Sequence, residues 1–115
     1  MDLPAISDVD YDGDLDILTF EITGGFVHYF QNQSIENHGN CDYLEYQHEH
    51  GCWGNFYEGL NTYTLNCINC MCPPINNETS IKESKHAGSS LILIDVDGDN
   101  DKDLILGDVS YNNLN

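Results

Sequence analysis

Two stretches decide the fold, Asp8-Val9-Asp10-Tyr11-Asp12-Gly13-Asp14-Leu15-Asp16 and Asp95-Val96-Asp97-Gly98-Asp99-Asn100-Asp101-Lys102-Asp103. Each places aspartate at positions 1, 3, 5, 7 and 9 of a nonapeptide, and together they hold ten of the thirteen aspartates in the chain. Carboxylates this close repel one another, each pair costing on the order of 1 kcal/mol even at high dielectric, so such a loop folds readily only around a cation. Calcium takes about six to eight oxygen ligands and suits a loop whose positions 1, 3 and 5 project inward while position 7 gives a backbone carbonyl and position 9 closes the cage. Magnesium fits less well, because it demands compact octahedral geometry and keeps several waters. The candidate metal ligands are Asp8, Asp10, Asp12, Asp14 and Asp16 in the first loop and Asp95, Asp97, Asp99, Asp101 and Asp103 in the second, two Ca2+ sites in all. Position 6 must turn sharply, and it is Gly13 in one loop and Asn100 in the other, two residues that tolerate positive φ.

An EF-hand would need a bidentate glutamate at position 12, where this chain has Thr19 and Leu106, and a helix on either side. The flanks are instead short apolar and β-branched runs, Ile17-Leu18-Thr19-Phe20 and Leu91-Ile92-Leu93-Ile94, which predict buried strands. Each loop therefore reads as a metal-binding turn between strands. Beyond the first loop, Ile17 to Ile22, a Gly24-Gly25 turn and Phe26-Val27-His28-Tyr29-Phe30 predict a hairpin with Phe26, His28 and Phe30 on one face.

The composition narrows the function classes. Twenty acidic side chains against three lysines give a formal charge of −17 in 115 residues, which leaves no basic patch to hold phosphate and argues against nucleic acid and anionic membrane surfaces. No apolar run is long enough to span a bilayer, so no membrane insertion is expected, and no targeting segment follows Met1. Five cysteines in a short chain suit an oxidising compartment, so a secreted or cell-surface protein is expected, its export signal lying outside this stretch. Asn32-Gln33-Ser34 and Asn77-Glu78-Thr79 fit the glycosylation acceptor pattern, which recurs often by chance.

From Asn37 to Gly88 the pattern changes to Asn, Cys, His and aromatic residues, and coil is expected to dominate apart from a strand over 62–66. All five cysteines (Cys41, Cys52, Cys67, Cys70, Cys72) fall here with His38, His48 and His50. Two disulfides and one leftover thiol account for them, with Cys70 and Cys72 reaching a distant partner such as Cys41 or Cys52; zinc or copper held by cysteine and histidine is the alternative. His48-Glu49-His50 beside Cys52 lacks any known catalytic spacing, and there is no Gly-flanked serine, phosphate loop or HExxH. No enzymatic activity is expected.

Ile6 to Leu18 resembles the FG-GAP repeat, also called the VCBS repeat, of secreted bacterial proteins and integrin α-subunit propellers, and Ile94 to Gly107 resembles it as well, without the usual glycine at Asn100. The resemblance implies a β-propeller whose four-stranded blades each carry a calcium loop between adjacent strands, with Asp14 and Asp101 giving carbonyls. A complete propeller needs at least about four blades. The chain is therefore expected to be mainly β, an incomplete β-propeller fragment: FG-GAP-like blade strands with the first calcium loop in 1–36, a coil-rich Cys/His insertion in 37–88, and the start of the next blade with the second loop in 89–115. The implied function is that of an extracellular binding or scaffolding module ordered by calcium. Its partners would be the rest of the propeller or other copies of the chain, and an extracellular protein or glycan; an accessory segment of a secreted polysaccharide-acting enzyme is the alternative.

Overall fold

The computed structural model describes residues 3–21, 25–58, 63–66 and 89–108, and the described chain is mainly β. Its main sheet is an antiparallel meander of four strands in chain order, β1 (Ala5–Ser7), β2 (Asp16–Phe20), β3 (Val27–Asn32) and β4 (Tyr46–His50). Strand period explains its face: in β2, alternation sends Asp16, Leu18 and Phe20 inward and leaves Ile17 and Thr19 half-buried. Leu18 pairs with Ala5 on one side and Tyr29 on the other, and it forms the core with Ala5, Phe20, Val27, Phe56 and Leu91. The β2–β3 hairpin closes through the Glu21 amide on the Phe26 carbonyl at 2.9 Å. The ends of the expected hairpin at Ile22 and Gly24 lie outside the described residues. Gly25 is required where it stands, since a Cβ there would meet the Glu58 carbonyl oxygen at 1.6 Å.

Two elements after residue 33 go beyond the expectation, the second of them inside the coil expected over 37–88. A single helical turn, α1 (Ser34–His38), ends at Gly39, whose φ of 69° lets its amide reach the Ile35 carbonyl at 2.8 Å. Then β4 adds to the sheet edge. Its sequence, Tyr-Gln-His-Glu-His, has no apolar alternation to betray a strand. What holds it is the backbone ladder to β3, together with the His48 ring stacked on His28 and Phe30 at centroid distances of 4.6 and 4.7 Å. The chain then turns through Trp53–Asn55 into a two-residue strand, β5 (Tyr57–Glu58), paired with β6 (Tyr63–Thr64) inside the strand expected over 62–66.

The last described element is a hairpin, β7 (Ser89–Ile94) and β8 (Asp103–Asp108), in register Leu91 to Leu106 and Leu93 to Leu104. The run Leu91–Ile94 is not buried throughout, as its composition predicts: Leu91 joins the core, but Ile92 and Ile94 are 56% and 48% exposed. The hairpin is two strands wide, and the described residues cover one of its faces. A parallel bridge from Leu3 to Ser90, with the Leu91 amide on the Leu3 carbonyl at 3.2 Å, sets β7 beside β1. The two strands that lead into the acidic loops are thus neighbours. No helix among the described residues is long and apolar enough to cross a membrane.

Candidate metal centre

The first acidic loop joins β1 to β2 and the second joins β7 to β8. Side-chain to backbone hydrogen bonds repeat from one to the other at matching positions. The position-2 amide donates to the position-9 carboxylate, Val9 to Asp16 at 2.9 Å and Val96 to Asp103 at 2.8 Å. The position-6 amide donates to the position-1 carboxylate, Gly13 to Asp8 and Asn100 to Asp95, both at 3.1 Å. The position-7 amide donates to position 5, Asp14 to Asp12 at 3.0 Å and Asp101 to Asp99 at 2.9 Å. Positive φ also recurs at positions 4 and 6, with the glycine exchanged between them: Tyr11 (62°) and Gly13 (103°) in one loop, Gly98 (79°) and Asn100 (72°) in the other. The need for a left-handed residue at position 4 was not anticipated from the sequence; Gly98 was its only visible sign.

These turns gather the carboxylates. Oxygens of Asp8, Asp10 and Asp16 lie within 4.8 Å of one another, as do those of Asp95, Asp97 and Asp99, and a third group joins Asp10 and Asp12 to Glu36 of α1. Asp103 does not join its loop's group and is tied to the Val96 amide. The Asp14 side chain turns away to the start of α1, where its Oδ2 accepts the Ile35 amide at 3.1 Å. Glu36 escaped the sequence reading because no local spacing links it to the nonapeptide; the β2–β3 hairpin brings it there.

The loops differ in their support. Asp16 is wholly buried, and its second oxygen takes the Asn32 amide of β3 at 2.8 Å. Desolvation, outweighing these amides and aided by the charges of Asp10 and Asp14, lifts its carboxyl to about 6. Beneath it, burial and then the Asp16 charge raise the Tyr29 phenol above its ordinary value. Asn32, itself 3% exposed, accepts the Ser34 and Glu45 amides at 3.3 and 3.1 Å and so fixes both α1 and the approach to β4. That burial also removes Asn32 as a glycosylation acceptor in the folded chain; Asn77 lies outside the described residues. Asp103, by contrast, is exposed.

The donor set suits a hard divalent cation. Two carboxylate oxygens in the first loop, Asp12 Oδ2 and Asp14 Oδ1, are buried with no hydrogen-bond partner, a state that costs free energy in a protein interior unless a cation meets it. At Glu36 its own backbone amide favours ionisation, but partial desolvation and the charges of Asp12, Asp10 and Asp14 outweigh it and hold the carboxyl above its usual value. Tyr11 stands between the loops: desolvation and the charges of Asp95, Asp101 and Asp99 raise its hydroxyl, and Lys102 lies over its ring at 4.7 Å.

Among the described residues, the cysteines and His38 are engaged away from these groups. Cys52 is disulfide-bonded, Cys41 is an exposed free thiol whose Sγ donates to the Gly13 carbonyl at 3.4 Å, and Cys67, Cys70 and Cys72 lie outside the described residues. His38 Nε2 pairs with Glu45 at 2.7 Å. Among the described residues, every group of three convergent metal-binding side chains is made of carboxylates alone. No known protein family matches the chain, and no curated protein and no solved structure matches it.

Proposed function

We propose that the chain is a calcium-binding extracellular module of the FG-GAP type, two neighbouring propeller blades in which Ca2+ orders the loops between the first and second strands. The carrying observation is that two nonapeptides far apart in sequence share one hydrogen-bond scheme and the same pair of left-handed positions. Such agreement is more than two soluble acidic turns require. The four-strand meander has the form of a blade, and β7 beside β1 has the form of the opening strand of the next. The remainder of the propeller, or a second copy of the chain, would cover the edge of β8 that no strand among the described residues pairs. Its work is binding or scaffolding, with no catalysis by the metal.

Thermal unfolding in calcium, in magnesium and in EGTA tests this. At free calcium about a hundredfold above Kd, each site adds about 2.7 kcal/mol, a rise in Tm on the order of 10 °C for a domain this small. A Tm that is the same in saturating calcium and in EGTA would overturn the proposal.

A further inference from the structure

We infer that Glu36, carried on α1, is a further ligand of the first calcium loop, adding a carboxylate oxygen from outside the nonapeptide. The inference rests on the calcium reading above. Its geometry is the group formed by Asp10, Asp12 and Glu36, whose oxygens lie within 4.8 Å of one another. Gln31 of β3 holds that corner together, its Nε2 donating both to Asp10 Oδ2 and, at 2.7 Å, to Glu36 Oε1.

What points to a cation is a pair of carboxylate oxygens in this loop that no donor meets. Asp14 is 3% exposed and leans on α1 through the amide of Ile35, the residue before Glu36, which leaves its Oδ1 buried without a donor. Asp12 Oδ2, in the group itself, is buried and partnerless too. Among the described residues no lysine answers this charge, since Lys102, the one lysine they include, lies over Tyr11. The second loop has no counterpart of Glu36 among the described residues: its group is Asp95, Asp97 and Asp99 alone. Calcium affinity follows the number of charged ligands and the rigidity of the site. The two sites of this chain are therefore unequal, the first being the tighter.

Calorimetric titration of calcium chloride into the full chain tests the assignment through Glu36→Gln, with Glu49→Gln on β4 removing an equal charge elsewhere and Asp95→Asn marking the second site. The unaltered chain should take up two ions with distinct affinities. Glu36→Gln should weaken the tighter site on the order of tenfold and leave the site marked by Asp95→Asn in place, while Glu49→Gln should change neither. Because Glu36 is exposed, the variant keeps its fold, which circular dichroism checks. Two sites of unchanged affinity in Glu36→Gln, or equal weakening by Glu49→Gln, would overturn the Glu36 assignment and leave the calcium reading standing. No calcium uptake by the unaltered chain would overturn both.

Discussion

The ammonium of Lys102, in the second acidic loop, lies 4.7 Å from the ring centroid of Tyr11, in the first. Tyr11 holds this place at φ 62°, a left-handed conformation that costs a non-glycine residue about 1 kcal/mol. The ring thus accepts local strain to link two loops that strand pairing alone would leave side by side. Lys102→Met should lower stability in EGTA by about 0.5–1 kcal/mol. In a Tyr11→Gly background the same substitution should cost less, because the partner is gone. Urea denaturation of the four species in the cycle gives the coupling, and an undiminished Lys102→Met loss would show that there is none.

Asn32→Ala should be among the more damaging polar substitutions. It strips the acceptor from the buried Ser34 amide and from the half-buried Glu45 amide, and a buried group left unpaired costs about 1–3 kcal/mol. A total loss of roughly 2–4 kcal/mol is expected. Amide exchange should quicken first at Glu45 and along β4; uniform quickening through β1 and β2 would contradict the local role given to Asn32.

Gly25→Ala tests how residues 53–58 dock. The new methyl would stand 1.6 Å from a backbone oxygen of Glu58, which has no rotamer to move, while the Glu58 amide donates to the Gly25 carbonyl at 3.0 Å. The contact must part, at a cost of at least about 2 kcal/mol. Trp53, the one tryptophan in the chain, packs against the core beside it, so its emission should shift to the red. Emission and stability both unchanged would argue against this packing.

His28 makes the sheet sensitive to mild acid. Burial and then its stacked neighbour His48 hold its pKa below the ordinary 6.5, and its Nε2 is buried without a partner. A histidine with a depressed pKa contributes stability above the unfolded value and loses it as pH falls through the folded one, because the unfolded chain takes up the proton first. In EGTA this decline from pH 7 to pH 5.5 runs against the gain from the raised carboxyl of Asp16, which favours the folded chain as pH falls through about 6, so it is read as the difference between the unaltered chain and a His28 variant. His28→Phe, which keeps a ring against Phe30 and His48, should shrink that decline; an identical pH profile would exclude His28 as its source.

The acidic loops and their flanking strands were legible because both signals, aspartate on alternate positions and apolar runs beside it, are local. Asp16 shows what was not: the same alternation that makes it a loop-closing residue also puts it on the buried face with Leu18 and Phe20, against β3. β4 escaped notice because five polar or aromatic residues carry no hydrophobic period, and its place is fixed by a ladder and a ring stack. Glu36 and Gln31 reach the loop through tertiary structure, and no spacing announces them. Leu91–Ile94 read as wholly buried because composition cannot say how many neighbours a strand will have.

The bridge between Leu3 and Ser90 also sets an order of assembly. β1 finds β2 across a short loop and can close within microseconds, whereas it meets β7 only after most of the chain has been made, and closing long loops is what slows folding. During synthesis the first hairpin and its acidic loop can form while the second is still untranslated. The encounter of Tyr11 with Lys102 must wait for both hairpins, and the closing of that long loop, not the formation of either hairpin, should limit how fast the two acidic loops come together.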